Sequence, residues 1–425
     1  MSQRDAGIID KPPPANPTPQ TGEVALPKKG VSLGQDAWRR LRRNRLAMVS
    51  LATLITIVLL AFFTPFLPLP PPDKHATKLQ YEPPDAVPLF RKTFDFDWEA
   101  VQQTRAKVAE TQRELATAEK RLEEAQRAAG TSGREQVEAA TREVRRKSNE
   151  LESILLRPYR TAGFPDLGPV SRAMVRWRYR VFGEWQLAPI GGRDEFGRDV
   201  MSRVFWGARI SIIVGIVATL VSLTIGVTYG ALAGYIGGWV DDVMMRFVDI
   251  LYSIPFIFVV IFIITILAEF KAQLAEWGID RLTIFFFVVG AIYWLTMSRV
   301  VRGQVISLRT EPFIEAARAL GATQARIIVS HIVPNLLSVV IVYLTLTIPR
   351  VMLFEAFLSF VGLGVEPPDV SWGLLANEGI KVITPVKIYW WLIVYPSAAL
   401  GITLFALNFL GDGLRDALDP KLKRR

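Results

Sequence analysis

Long apolar runs alternate with polar segments along this chain, and the runs set its architecture. Six stand out, at roughly 46–67, 208–236, 247–268, 282–300, 332–358 and 390–411. Each holds about 20 residues or more, enough to cross ~30 Å of hydrocarbon at ~1.5 Å per residue. None shows the ten-residue alternating pattern of a membrane barrel. The pattern predicts an all-α polytopic membrane protein with six transmembrane helices, the first at 46–67 and the rest within a core spanning 208–411.

The polar segments carry patterns of their own. Between the first two runs lies a large insert, 68–207, opening with the proline-rich "PLPPPD". In it Val101, Val108, Leu115 and Leu122 recur every seven residues, with Thr104, Thr111, Ala118 and Ala125 three positions later. This is an a/d seam with small d residues. Gly130 and Gly133 break it, Val137, Val144 and Leu151 resume it, and Pro158 is expected to end it. The spacing predicts an antiparallel coiled-coil hairpin over about 98–157. Acidic and basic residues nearly balance there, so the hairpin reads as a solvated spacer arm or as a docking arm for an extracytoplasmic partner. Residues 1–33, with "KPPPANPTP", lack apolar periodicity and read as an extended, solvated tail leading to a basic segment that ends at 45.

Charge changes the picture through its placement. The net charge of +10 first suggests nucleic acid. Yet Arg39, Arg40, Arg42, Arg43 and Arg45 crowd against the first run, and no Lys or Arg follows before Lys74. That is the positive-inside asymmetry, and it puts the N-terminus in the cytoplasm. Six crossings return the tail 412–425, ending "DPKLKRR", to the same side. The 301–331 loop agrees, with Arg302, Arg309, Arg318 and Arg326. The basic balance is topology, and no nucleic-acid partner is expected. The first run starts too far into the chain and is too long for a signal-peptide core, so it reads as a permanent anchor. With no cysteine and two distant histidines, His75 and His331, no catalytic, metal or cofactor-binding residues are expected. No G-x-x-x-x-G-K-[ST] phosphate loop occurs, so the chain is not expected to be an enzyme.

Two features inside the core call for explanation. Ala218, Ser222, Gly226, Gly230, Gly234 and Gly238 recur every four residues, a ridge without side chains that lets another backbone approach. The neighbour could lie in this chain or in a second subunit. Just beyond, Asp242, Arg246 and Asp249 have the spacing of a local ion-pair lattice, and Pro255 and Pro349 are candidate kinks. The second feature is a short helix between the fourth and fifth runs. Thr310 is its expected N-cap, "FIEAARAL" its body and Gly321 its C′ glycine. Thr323 can cap the next helix, which Pro334 should bend. Ala316, Ala317 and Ala319 leave a face that fits a groove. A connector lying on the membrane surface is the plain alternative.

Here the chain resembles a known family. Glu315, Ala316, Ala317 and Gly321 match the E-A-A-x-x-x-G core of the permease subunits of ATP-binding-cassette importers, and Pro334 matches the proline that follows. "HIVPN" is similar to the peptide branch. So are "EFGRDVMSRVFWGARISIIVG" before the second span, "EAFLSFVGLGVEPPDVSWG" before the sixth and "LNFLGDGLRDALDP" at the end. The resemblance is to the OppC/DppC-type permeases of dipeptide, oligopeptide and nickel importers. It implies a type I importer permease in a bacterial inner membrane. Its partners would be a homologous second permease, two cytoplasmic ATPases and an extracytoplasmic solute-binding protein. The Glu315–Leu320 helix would be the coupling helix. The long insert departs from the family. Two other classes remain open, a secondary transporter or channel and a membrane-anchored coiled-coil scaffold; midplane charges are scarce, with Glu355 the main exception.

Overall fold

The computed structural model describes residues 33–85, 89–92, 98–128, 134–270, 273 and 281–418. The tail 1–32, Gly130 and Gly133, where the break of the seam is expected, and the last residues 419–425 lie outside them. Helix α1 (Leu33–Arg43) carries the arginines, and the Asn44 side chain caps α2 (Arg45–Phe63) by accepting from the Ala47 N–H at 3.2 Å. Pro65 ends α2 in a tight turn, Thr64–Phe66.

The insert holds α3 (Trp98–Ala128), α4 (Arg134–Thr161) and α5 (Pro169–Phe182). A two-stranded ribbon, β1 (Phe90–Lys92) against β2 (Trp185–Leu187), closes its foot with Arg91 opposite Gln186. Helices α3 and α4 lie antiparallel, tied by Lys147 to Glu114 at 2.7 Å and Arg121 to Glu143 at 3.5 Å. Two of the small seam residues, Thr111 and Ala118, are buried between them. Pro158 does not end α4, which runs on to Thr161. A proline one turn from a C-terminus loses a single helical bond, and Leu156 and Tyr159 are held in a core with Phe164, Leu167, Val175 and Trp206.

The bundle consists of α6 (Val200–Ile236), α7 (Gly238–Ser253), α8 (Phe256–Glu269), α9 (Arg281–Leu308), α10 (Pro312–Ala319), α11 (Gln324–Ile327), α12 (Val333–Val361), α13 (Trp372–Lys381) and α14 (Trp391–Leu418). Five helices among the described residues are long and apolar enough to cross a membrane: Arg45–Phe66, Val200–Ile236, Thr283–Leu308, Gln324–Val361 and Trp391–Leu418. Helix α6 starts at Val200, eight residues before its apolar run, because Asp199 caps it on the Ser202 N–H at 2.6 Å.

The run at 247–268 is not one straight helix. Its two parts, Gly238–Ser253 and Ile257–Leu267, meet at 87°. Pro255 has no N–H to continue the ladder, and the preceding Ile254 is pushed to an extended conformation (φ −87°, ψ 125°). Pro349, by contrast, sits inside an unbroken α12.

Contacts fix the directions. Thr64 at the end of α2 bonds the Phe205 carbonyl near the start of α6 at 3.3 Å, while Gly413 near the end of α14 packs on Ala47 at the start of α2. Helix α6 runs antiparallel to α12, with Gly215 beside Met352 and Ala231 in one cluster with Ile328. It runs parallel to α9, as its glycines show below, so α7 and α8 together return the chain to the insert end of the bundle. The opposite end gathers α1, the end of α14 and α10.

Candidate functional site

The small residues of α6 meet their neighbour within the chain. A side chain at Gly226 would strike Met297 at 2.6 Å, one at Gly234 the Arg302 carbonyl at 2.8 Å, and one at Gly230 the Ser298 carbonyl. Gly290 repeats the device from α9, facing the Ala218 carbonyl at 2.7 Å. The two backbones are thus in near contact from Ala218–Gly290 to Gly234–Val305, which only glycine and alanine permit. Gly238 stands apart. Helix α6 ends at Ile236, Gly238 opens α7 with φ +59°, and nothing approaches within 4 Å. The every-four spacing continues past the point where the helix stops.

The acidic residues after the ridge also differ from the local lattice. Asp241 takes a two-pronged bond from Arg302 at 2.5 and 2.6 Å, and Asp249 takes one from Arg299 at 2.5 Å. Both pairs join α7 to α9. Helical spacing alone favours a pair within one helix, whereas a planar guanidinium across the gap can use two oxygens at once.

At the lower end of that seam sits α10. Glu311, not Thr310, is its N-cap, without a side-chain bond. Pro312 takes the first helical position and holds Glu311 extended (φ −73°, ψ 142°), leaving the Thr310 hydroxyl to bond the Ser307 carbonyl at 3.2 Å. The far end is a Schellman cap: Ala322 N–H to Ala317 carbonyl at 3.1 Å and Gly321 N–H to Arg318 carbonyl at 2.9 Å, with Gly321 at φ +80°. Thr323 then caps the next helix through the Arg326 N–H at 3.4 Å.

The helix is seated by Ile314 and Ala317, both buried in a cluster with Tyr235, Val305, Ile332 and Leu336. Arg318 lies over the Tyr235 ring, 5.4 Å from its centre. Arg309 reaches back to the Gly234 carbonyl at 3.2 Å. So α10 rests directly on the end of the α6–α9 seam. Glu315 and Ala316 face outward, but Ala317 is turned in and does not belong to the outer face. That face is completed by Phe313 and Leu320, the latter 88% exposed. Sequence reading passed over both, although 313, 316 and 320 have the i, i+3, i+7 spacing of one helical stripe. Pro334 stands on a separate element, the first turn of α12. Its missing N–H coincides with a π-turn, Ile328–Ile332, and the helix runs through to Val361.

The opposite end of α6 is built from charge. Asp194 receives Arg198 Nε at 2.7 Å, Arg203 Nη1 at 2.8 Å and two backbone N–H groups at 2.9 Å. Arg203 also bonds Glu378 of α13, and Arg198 reaches Asp73 at 3.3 Å. Asp194, Arg198 and Arg203 are all buried. Burial pushes the neighbouring Asp199 carboxyl up to about 7, with the Ser202 N–H and Arg193 opposing it. Glu355 is fully buried too: Ser359 donates to it at 2.7 Å and in turn accepts the Val365 N–H at 3.1 Å. It holds the loop after α12 rather than lining a surface of this chain.

Comparison with known proteins places these residues in context. A model described as "Binding-protein-dependent transport system inner membrane component" matches 226–424, which includes the lower seam, α10 and Pro334. A model of the "N-terminal TM domain of oligopeptide transport permease C" matches 32–84. Residues 85–225 fall between the two. The oligopeptide transport system permease protein OppC of Salmonella typhimurium is 50% identical over 230 residues, 54% of this chain and 72% of that one. The dipeptide transport system permease protein DppC of Bacillus subtilis is 42% identical over 233 residues, 55% and 69% of the two chains. The glutathione transport system permease protein GsiD of Shigella flexneri is 41% identical over 234 residues, 55% and 72%.

Proposed function

The chain belongs to the OppC/DppC family of peptide-type ATP-binding-cassette importer permeases, and from that premise we propose that it forms half of a translocation pathway driven by two ATPase subunits. The observation that carries this reading is α10. It is short, opened by Pro312 and closed by a Schellman cap, seated by two side chains and bare on the face of Phe313, Ala316 and Leu320. A groove in an ATPase can take that face, and the load would pass through Ile314 and Arg318 to the ends of α6 and α9. Glu315, Ala316 and Gly321 act here as contact and hinge, Ala317 as the seat and Pro334 as the start of the next lever. The glycine seam keeps α6 and α9 moving as one body.

The bundle then crosses the membrane six times, with the α7–α8 pair as the bent third crossing. Both termini and α10 lie in the cytoplasm of a bacterial cell, where the arginines of α1 belong, and the 68–207 insert lies outside it. A second, homologous permease completes the pathway, and a solute-binding protein delivers the cargo. The named relatives support peptides as that cargo. In this reading α3 and α4 form a coiled-coil arm that reaches toward the binding protein.

The chain has no cysteine, so Leu320→Cys gives one attachment point. Cross-linking in native membranes followed by purification is expected to capture an ATPase subunit, with a second permease copurifying. Gly321→Pro, which cannot adopt a positive φ, is expected to lower uptake by about tenfold or more while ATP hydrolysis persists. Recovery of the chain alone, or normal uptake by the variant, would point to a self-contained transporter or a scaffold instead.

A further inference from the structure

Helix α5 presents three distinct faces. Ser171, Val175 and Arg178 point into the protein and are buried. Val170, Trp177 and Val181, at i, i+7 and i+11, form a second face and are 61%, 63% and 60% exposed. Arg172, Arg176 and Arg180 recur every four residues on the third, and the helix contains no acidic residue.

Two contacts fix its depth. Near one end, Ser171 accepts a hydrogen bond from Arg209 at 2.9 Å. Arg209 closes the insert side of the apolar run of α6, since 210–236 holds no Asp, Glu, Lys or Arg. Near the other end, Trp177 and Phe182 pack against Phe66 at inclined angles, with ring centres 5.9 and 5.7 Å apart. Phe66 ends the insert side of the first span, in a stretch free of charge from Leu46 to Pro72. Both ends of α5 therefore lie where the apolar runs stop, and its axis of about 21 Å follows that boundary.

We propose that α5 is an interfacial helix that lays Val170, Trp177 and Val181 into the insert-side leaflet and grips anionic phospholipid headgroups with Arg172, Arg176 and Arg180. A basic amphipathic helix with an indole at the apolar edge suits the headgroup boundary, because its stripe leaves water while the guanidinium groups reach phosphate. A run of arginines without acids complements an anionic surface. The consequence reaches the insert. Leu156 and Tyr159 of α4 share one core with Val175 of α5 and Trp206 of α6, so the foot of the α3–α4 pair is tied to the lipid surface as well as to the bundle.

Spin labels test this in the full chain reconstituted in phosphatidylethanolamine–phosphatidylglycerol vesicles. Two single-cysteine variants suffice, Val181→Cys and Arg180→Cys, with Val58→Cys on α2 as the hydrocarbon reference. The label at 181 is expected to collide with oxygen in preference to a water-soluble nickel chelate, approaching the reference, and the label at 180 to prefer the chelate. A preference for the chelate at both positions overturns the proposal. So does loss of access to both reagents at 181, which means that protein covers the stripe. The headgroup contact is read separately, by immobilisation of spin-labelled phosphatidylglycerol. Arg172→Gln, Arg176→Gln and Arg180→Gln together should weaken its association relative to phosphatidylcholine, roughly fivefold for each arginine. An unchanged preference sinks that half.

Discussion

Helix α6 is held at its two ends by unlike devices. Its first turns are locked by buried charge, with Arg203 bridging Asp194 and Glu378. Its last turns are held by the absence of side chains, with Gly226, Gly230 and Gly234 against the backbone of α9. The charged end joins pieces far apart in sequence, Asp73, Asp194 and Glu378. It aligns them by direction and sign, so each partner depends on the others. The glycine end joins two parallel helices by shape alone, and under the proposed function a force on α10 would arrive there. A specific knot at one end and a smooth seam at the other suit a helix that is anchored on the insert side and loaded on the opposite side.

The sharpest way to break this comparison is to remove one member of the knot. Arg203→Met leaves the buried Asp194 and the half-buried Glu378 with Arg198 as the cation they share. The expected cost is about 3 kcal/mol, the low end for a broken buried pair because Arg198 still compensates part of the charge, read as a fall in melting temperature and in the yield of monodisperse protein in detergent. Adding Glu378→Gln removes one of the two carboxylates that then compete for Arg198 and should recover part of that loss. If the single variant melts like the parent, the knot is ornamental and the ends of α6 do not differ as described.

The seam should respond to volume instead. Gly230→Val drives a side chain into the Ser298 carbonyl and Val301, with an expected cost of about 1–3 kcal/mol as α6 and α9 part. Gly303 provides the contrast on α9 itself, because nothing lies within 4 Å of it. Gly303→Ala should be neutral or stabilise by about 0.5–1 kcal/mol. Equal losses at 230 and 303 would mean that helix propensity, and not close packing, governs both glycines.

These two devices also differ in how far the sequence disclosed them. The seam was visible because Gly226, Gly230 and Gly234 repeat at a helical period, which is a local property. The period hid the helix end, and so Gly238 was drawn into a ridge it does not join. The knot was invisible as a knot. Its residues come from the loop after the first span, the loop before α6, the start of α6 and α13, and no spacing rule connects them. The same division runs through α10. Gly321 and Thr323 were legible because caps depend on adjacent residues. The inward turn of Ala317 was not, because it depends on Tyr235 and Leu336 arriving from other helices. Pro255 marked the bend of the third apolar run, but its 87° angle is set by packing that one residue cannot announce. Pro158 stood for a helix end and proved tolerable, since tertiary burial of Leu156 and Tyr159 outweighs one lost bond.

A last predicted effect, also small, sharpens the charged end through pH. Asp199 caps α6 at 2.6 Å, yet burial raises its carboxyl from 3.8 in the unfolded chain to about 7. A carboxyl raised by folding favours the native state while it is protonated in both states, below about pH 4, and that advantage is lost as pH climbs through about 7. Asp199→Asn keeps an oxygen for the Ser202 N–H and cannot ionise. The melting temperature of the variant should match or trail the parent at pH 5 and exceed it at pH 8. The difference should amount to about 1 kcal/mol, well under the full linkage value, because the new amide N–H needs a partner in the same buried site. Arg203→Met should show no such crossing, since neither the guanidinium nor the methionine that replaces it titrates between pH 5 and 8. A flat difference between Asp199→Asn and the parent from pH 5 to 8 would mean that the carboxylate is held by Arg193 and ionised throughout, making it part of the knot rather than a neutral cap beside it.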